Sequence, residues 1–358
     1  NVGPQHPSTH GVLRLEVKSD GEVVERAIPH IGYLHRCFEK HAENLTYPQI
    51  VPFTDRMDYL AAMNNNFGYV LAVERLLELK LPERVEYIRV IMAELNRIAS
   101  HLVSFGTYGM DLGAFTPFLF AFREREEIFD LFEMTCGARM LYNYMWVGGV
   151  SHDLPDGFVD RVRVFLKKFE SKIREYNDLL SYNKIFIDRT AKVGILPEDL
   201  AYSYNITGPN LRGSGVQWDL RRDEPYSIYD RFEFDVPYGK GEMGVVGDCW
   251  DRYMVRIEEM QQSARIVEQA LDNLPEGDVH EAVPRNVKPP KDAEVYFRSE
   301  SARGELGVYL ISNGKNIPYR VKVKSPCFTA MSVFDEISRG YMLADIVAIV
   351  GSLDIVLG

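Results

Sequence analysis

Pro82-Glu83-Arg84-Val85-Glu86-Tyr87-Ile88-Arg89-Val90-Ile91-Met92-Ala93-Glu94-Leu95-Asn96-Arg97-Ile98-Ala99-Ser100-His101-Leu102 decides the fold class. Ile88, Ile91, Leu95, Ile98 and Leu102 recur at three-and-four spacing, the period of a helix with one apolar face. Pro82 suits the start of such a helix. On the N-terminal side, Asp55-Arg56-Met57-Asp58-Tyr59 opens a helix that runs to about Leu79. Before it the period changes to two. Leu13 to Val17 and part of Val23 to Ile28 alternate around the turn Ser19-Asp20-Gly21, which reads as a β-hairpin.

On the C-terminal side, Thr116 and Pro117 read as N-cap and first residue of a third helix, lined by Phe118, Phe122, Phe129 and Phe132. Pro155 to Tyr182 gives a fourth. A loop-rich stretch follows, with strand-like Tyr229 to Val236, and Asp248 caps a fifth long helix to Leu274. After the linker Lys288-Pro289-Pro290-Lys291, Glu305 to Ile311 and Tyr319 to Val323 alternate as strands, and a last helix covers about Tyr341 to Gly351. The fold class is α+β, mainly helical: a long-helix bundle with small antiparallel β elements at both ends. The division is residues 1–30 as N-terminal hairpin and loop, 31–287 as helical core and 288–358 as a C-terminal α+β segment packed on it.

The 358 residues, 46% hydrophobic, can bury a sizeable core. The formal net charge of −11 and the absence of a Lys/Arg-rich block argue against nucleic acid as a partner. No apolar run is long enough to span a bilayer; the stretch from Met342 to Val350 is cut by Asp345. Cys37, Cys136, Cys249 and Cys327 lie far apart without a C-x-x-C pair. That spacing argues against a disulfide scaffold, and against a zinc site or iron–sulfur cluster held by this chain alone.

Five of the eight histidines fall in the first 41 residues. Two of them, His6 and His10, sit in Gly3-Pro4-Gln5-His6-Pro7-Ser8-Thr9-His10-Gly11. Pro4 and Pro7 forbid a helix there, so the His-x-x-x-His spacing is not a helical zinc pair. The loop is either an ordinary surface connection or a place to hold a proton at neutral pH. Asp111, in the glycine-flanked break Tyr108-Gly109-Met110-Asp111-Leu112-Gly113, is either a helix-end carboxylate or a partner that orients an imidazole. Asp58 reads as a helix N-terminal cap and Arg56 as paired with Asp55 or Asp58. Leu211-Arg212-Gly213-Ser214-Gly215 lacks G-K-[ST] and reads as a tight turn. The charge run Arg123 to Glu127 reads as a solvated or interface helix face.

Taken together, several strings are specific: Gly3 to Gly11, His30-Ile31-Gly32-Tyr33-Leu34-His35-Arg36, Asp55 to Tyr59, Arg212-Gly213-Ser214-Gly215-Val216-Gln217-Trp218-Asp219, and Met342-Leu343-Ala344-Asp345 with Asp354-Ile355-Val356. They resemble, in order and over essentially the whole chain, the quinone-pocket subunit family of respiratory complex I, which is related to the large subunit of [NiFe] hydrogenases. In hydrogenases the corresponding strings are R-x-C-G-x-C and D-P-C-x-x-C. Here Arg56 is kept, Asp58 and Ala61 stand at the first pair of cysteine positions, and Asp354 to Gly358 ends the chain without cysteine. Nickel and iron there need soft thiolates, so hydrogenase chemistry is excluded.

The resemblance implies that the vacated site is a quinone cavity. It implies His10 and Tyr59 as proton donors to the two quinone oxygens and Asp111 as the partner of the loop histidine. Pocket lining by His6, Thr107 and Phe328 is a further expectation. It also implies electrons from a [4Fe-4S] cluster of a partner subunit, with Arg36, Arg56 and Leu141 near it, and no cofactor or metal bound by this chain alone. Many family members carry histidine at the Leu141 position. Leucine cannot titrate, so the expected cluster potential is low and pH-independent, which suits menaquinone as substrate. The expected role is a catalytic subunit of a proton-translocating NADH:quinone oxidoreductase. It would contact the Fe–S subunit, other peripheral-arm subunits and the membrane arm, on the cytoplasmic side of a bacterial inner membrane or the mitochondrial matrix side. The competing readings are the same subunit in a ferredoxin- or other-donor complex, and a scaffold with a vestigial cavity.

Overall fold

A computed structural model describes residues 1–5, 11–284 and 286–357. Strands β1 (Arg14–Asp20) and β2 (Val23–His30) pair antiparallel, with Val17 opposite Ala27. Helices α1 (Phe38–Ala42), α2 (Tyr47–Thr54), α3 (Ala62–Leu76), α4 (Glu83–Asp111) and α5 (Phe115–Cys136) follow. A two-residue ribbon, β3 (Met145–Trp146) with β4 (Gly149–Val150), leads to α6 (Phe158–Tyr176), which runs on into a π-turn at Asn177–Ser181. Short helices α7 (Lys184–Thr190), α8 (Glu198–Ser203), α9 (Gly208–Gly213) and α10 (Leu220–Asp223) precede the long α11 (Cys249–Asp272). The chain closes with the antiparallel sheet β5 (Lys291–Ser301), β6 (Gly304–Asn313), β7 (Arg320–Lys324) and helices α12 (Pro326–Ser332), α13 (Phe334–Ser338) and α14 (Asp345–Leu353).

The centre is α4. Its 29 residues extend about 43 Å, and it packs against α3, α5, α11 and α14. Because neighbours surround it, its polar residues Arg89, Glu94, Asn96, Arg97, Ser100 and His101 are buried along with its apolar face. A second, smaller core joins the two ends of the chain. Leu13, Leu15, Val24 and Ala27 of the hairpin pack with Ile337, Ile349, Val350 and Ile355. Asp335 Oδ1 accepts the Ala27 N–H at 2.7 Å across the same contact.

Several expectations change in detail. The helix expected from Asp55 starts at Ala62, because Asp58 Oδ1 accepts the Leu60 and Ala61 N–H groups and holds Asp58 to Ala61 as a turn. The residues before Asp55 form their own helix, α2. Tyr229 to Val236 is a 3₁₀ turn followed by irregular chain rather than a strand. The buried ring of Tyr229 takes its hydroxyl to Glu94, a core contact rather than a strand pairing. Strand β5 was not expected and begins at Lys291, inside the linker motif. Asp248 caps α11 as expected, accepting the Asp251 N–H at 2.9 Å. The run Arg123 to Glu127 is half-buried: Glu124 accepts from Tyr176 at 2.6 Å, and the Arg125 guanidinium lies 4.0 Å from the Phe129 ring centroid. Among the described residues, no helix is long and apolar enough to cross a membrane.

Candidate functional site

The turn Asp58–Ala61 and the C-terminal stretch Asp354–Leu357 are joined by one side chain that neither contains. Arg303, at the tip of the β5–β6 hairpin, is 2% exposed. Its Nη1 donates to Asp58 Oδ2 at 2.7 Å and to Ser100 Oγ at 3.0 Å. Its Nε donates to the Asp354 carbonyl oxygen at 2.9 Å, and Nη2 reaches Asp354 Oδ1 at 3.4 Å. The tip can reach this depth because Gly304 and Gly208 lie against each other. A Cβ on Gly208, whose φ is +67°, would stand 2.7 Å from Gly304 N and 2.8 Å from the Arg303 carbonyl oxygen.

The C-terminal stretch is the spine of the site. Asp111 Oδ2, at the end of α4, lies 3.7 Å from where a Gly351 Cβ would be. Arg256 donates to the carbonyl oxygens of Ser352 and Leu353 at 2.9 and 3.3 Å, and its Nε is 3.6 Å from Asp354 Oδ2. The Val356 N–H points to Cys327 Sγ at 3.4 Å. A Cβ on Gly11, the residue after the histidine loop, would touch Leu357 Cδ1 at 3.7 Å. The loop's downstream end, Asp111 and the Asp58–Asp354 pair therefore meet one short segment.

Tyr59 follows Asp58 and is half-buried. Burial raises its phenol above the ordinary tyrosine range; the Arg303 cation pulls it down and the Asp58 anion pushes it up. Burial pushes the Cys327 thiol up to about 12, against the pull of Arg303, so it stays a neutral thiol. A cleft of about 280 Å³ opens beside Cys327, lined among others by Arg36, Met57, Asp58, Ser301 and Pro326; Tyr59 follows Asp58 in the chain but is not among the lining residues. The volume is near the lower end for a small-ligand site.

Of the other expected site residues, Arg36 and Arg56 are brought together. Arg36 Nη2 donates to the Arg56 carbonyl oxygen at 2.9 Å. Arg56 does not pair with Asp58, which Arg303 has taken; its guanidinium bonds the Pro52 carbonyl oxygen and stands 4.0 Å from Asp55 Oδ2. Leu141 has φ +59°, a strained setting for a bulky residue. Two residues on, the Asn143 N–H is held by Asp55 Oδ2 at 2.9 Å. Asp55 itself is buried, and burial pushes its carboxyl up to about 6. Thr107 bonds the Val103 carbonyl oxygen along α4 at 2.7 Å. Phe328 is 63% exposed on α12. Neither lines the cleft. His6 and His10 lie outside the described residues. Among the described residues, no group of three or more His, Cys, Asp or Glu is gathered to hold a metal.

Residues 111–293 and 279–358 match the family described as "Respiratory-chain NADH dehydrogenase, 49 Kd subunit". The chain is 57% identical over 362 residues to a subunit of the NADH-quinone oxidoreductase of Chlorobium phaeovibrioides, covering 100% of this chain and 90% of that protein. It is 56% identical over 362 residues to the corresponding subunit from Chlorobaculum tepidum, with the same shares covered. The one from Prosthecochloris aestuarii is 55% identical over 362 residues, again with 100% and 90% covered. The chain belongs to this family.

Behind the cleft, this family member carries a buried ionic network. Arg97 and Arg221 donate to Glu94, and Arg212 and Arg221 to Glu259, at 2.8 to 3.1 Å. Arg221 also grips Asp219, Arg212 donates to Glu300 at 2.8 Å, and His101 Nε2 meets Glu259 at 2.9 Å. Sequence reading missed this network and Arg303. The available signal was Glu94, Arg97 and His101 at three-and-four spacing within an apolar helix, a pattern that equally describes a solvated face.

Proposed function

We propose that this chain forms the quinone-reduction site of a proton-translocating NADH:quinone oxidoreductase, next to a [4Fe-4S] cluster held by a partner subunit. The observation that carries the reading is the Arg303 bridge between Asp58 and Asp354. It joins the two segments that hold metal in hydrogenases, where this chain has Asp58, Ala61 and Val356 at cysteine positions. The relatives are named for NADH and quinone, which favours NADH over another donor at the head of the complex.

Reducing a quinone to a quinol takes two electrons and a proton at each carbonyl oxygen. Tyr59 supplies one proton. A phenol hydrogen-bonds a carbonyl oxygen and gives its proton once the oxygen has become a strong base. His10 supplies the other from the N-terminal loop, with Asp111 as the acid that holds its imidazolium. Loss of the His10 proton releases its hold on Asp111, and that change of charge starts coupling to the membrane arm. Arg36 and Arg56 stand toward the partner's cluster, where cations favour the reduced form. Leu141 removes a titrating group there, and a low-potential quinone such as menaquinone is the substrate. The chain docks through partner subunits, on the cytoplasmic side of the bacterial membrane.

The test is Tyr59→Phe in the purified complex. NADH oxidation by an artificial acceptor at the donor end stays, while quinone reduction falls by about 10²-fold or more. Unaltered quinone reduction would return the chain to the status of a scaffold.

A further inference from the structure

Arg125 on α5 is only 6% exposed, yet among the described residues no oxygen accepts a hydrogen bond from it and no carboxylate pairs with it. Its Nε is fully buried; the two Nη nitrogens also lack partners but are not sealed off as Nε is. The guanidinium lies against aromatic faces instead, 4.0 Å from the Phe129 ring centroid and 5.2 Å from that of Phe122. Burial and the Arg139 cation lower Arg125 to about 10, against the pull of Tyr142 and Glu126, which leaves it charged at neutral pH.

Other buried arginines of this chain are answered. Arg89 grips Glu74, and Arg303 takes Asp58 and Asp354. Arg252 has no carboxylate, but it donates to the carbonyl oxygens of Gly247 and Gly194 and to Ser352 Oγ. Arg125 has neither kind of acceptor. The acids beside it in sequence are engaged elsewhere: Glu124 accepts from Tyr176 and Arg123, and Arg139 holds Glu126, Asp130 and Glu133. Contact with aromatic rings recovers much less than the hydration a buried cation gives up. A guanidinium is a fixed fork of N–H donors that fits a carboxylate. An unanswered fork whose Nη end is still open therefore points to a carboxylate from outside this chain.

Tyr142 shows where that carboxylate enters. Its ring meets Phe132 edge-on at 4.8 Å, and the Arg125 cation acts on its phenol. Its hydroxyl makes no hydrogen bond among the described residues, so it is a second idle donor near the fork. Tyr142 follows Leu141, and the same segment exposes the apolar side chains of Met140 and Trp146. Arginine and aromatic residues beside exposed apolar ones are the composition of a protein–protein contact rather than of a site for a free anion.

We propose that Arg125 and the Tyr142 hydroxyl form a socket for one aspartate or glutamate side chain of the cluster-bearing partner subunit. The fork gives two N–H donors to that carboxylate and Tyr142 a third. The contact neutralises Arg125 and fixes α5 and the Leu141 loop against the partner. The identity of the partner rests on the reading that Leu141 lies near its cluster; the unanswered cation does not.

The experiment uses the intact complex. Arg125→Lys keeps a cation and supplies an amine that a carbodiimide couples to a carboxylate in contact with it. Peptide mass spectrometry should find an amide between position 125 and an Asp or Glu of the cluster-bearing subunit. Arg125→Met removes the charge at similar volume. The cluster-bearing subunit should then leave the tagged, detergent-solubilised complex about 10²-fold faster, since losing one member of a buried ion pair acts on dissociation. A wild-type release rate in Arg125→Met overturns the proposal. So does a link from position 125 that ends only on this chain or on a different subunit, or no such link while other lysine–carboxylate links form in the same sample. If Arg125→Met fails to assemble, the link in Arg125→Lys decides. None of these readouts involves quinone, so failure of the quinone-site reading is seen separately, in Tyr59→Phe.

Discussion

Arg303 Nη1 donates to Asp58 Oδ2 at 2.7 Å, across 245 residues of sequence. The same guanidinium reaches Asp354, so one fork holds both carboxylates. Replacing it by methionine leaves Asp58 without its cation and Asp354 with only Arg256, itself 3.6 Å away. Arg303→Met should destabilise the fold by about 3–5 kcal/mol, the usual cost of stranding buried charge. Arg303→Lys keeps the charge but cannot form the fork. It should retain assembly while losing most quinone reduction. Assembly on native gels and quinone turnover distinguish the two variants, and full turnover in Arg303→Lys would show that charge alone suffices.

The hairpin tip depends on the contact of Gly208 with Gly304. Gly208→Ala adds a methyl against Gly304 N at 2.7 Å in addition to a left-handed backbone with φ +67°. Gly21, with φ +57° and nothing within 4 Å of its would-be Cβ, isolates the backbone cost. Gly21→Ala should cost about 1–2 kcal/mol, and Gly208→Ala clearly more, with loss of the Arg303 contacts. Equal unfolding midpoints for the two variants would mean that the tip can move aside at no cost.

Much of the fold was legible because its helices are long. Ile88 to Leu102 repeats for enough turns to fix α4, and Asp248 caps α11 where its side chain predicted. The turn at Asp58–Ala61 was hidden because it depends on a carboxylate accepting its own neighbours' N–H groups. Strand β5 was hidden by the two prolines just before it. For the site, the motif strings located Tyr59, Asp58 and Asp354. Nothing in them named Arg303, since a lone arginine between Ala302 and Gly304 looks like any hairpin tip until Asp58 is seen beside it. The buried network escaped for a related reason: charged residues are read as exposed unless their partners, distant in sequence, are known.

Asp111 ends α4 against Gly351, on the segment that also meets Gly11. If the acid couples the histidine loop to the membrane arm, Asp111→Asn should separate the two halves of the activity. Quinone reduction persists at a reduced rate, because Tyr59 is untouched, while protons translocated per quinone reduced fall. Proton uptake measured in proteoliposomes, alongside NADH oxidation, gives that ratio. A wild-type ratio in the variant removes Asp111 from the coupling scheme.

Asp55 sets a pH signature of its own. Its carboxyl is fully buried and held by the Asn143 N–H at 2.9 Å, and burial raises it from 3.8 to about 6 against the pull of Asn143, Asn66 and Arg56. A carboxyl raised in the folded state binds its proton more tightly there than in the unfolded chain. Its contribution to stability is therefore fully present below about pH 4 and is lost as pH rises to about 6; above that it is constant. The loss is at most about 3 kcal/mol for a shift of this size. Asp55→Asn keeps an acceptor for Asn143, so denaturation of the protein should be flatter between pH 4 and 6 and the variant more stable than wild type at pH 8. The same group bears on the partner's cluster, because the 141–143 loop that it anchors carries Leu141. Leucine removes titration there, so the cluster potential, measured by EPR redox titration, should be flat above about pH 7. Any slope should be confined to the acid side, where Asp55 titrates, and should vanish in Asp55→Asn. A slope near one proton per electron at neutral pH, unchanged in that variant, would place the titrating group outside this chain's Leu141 loop.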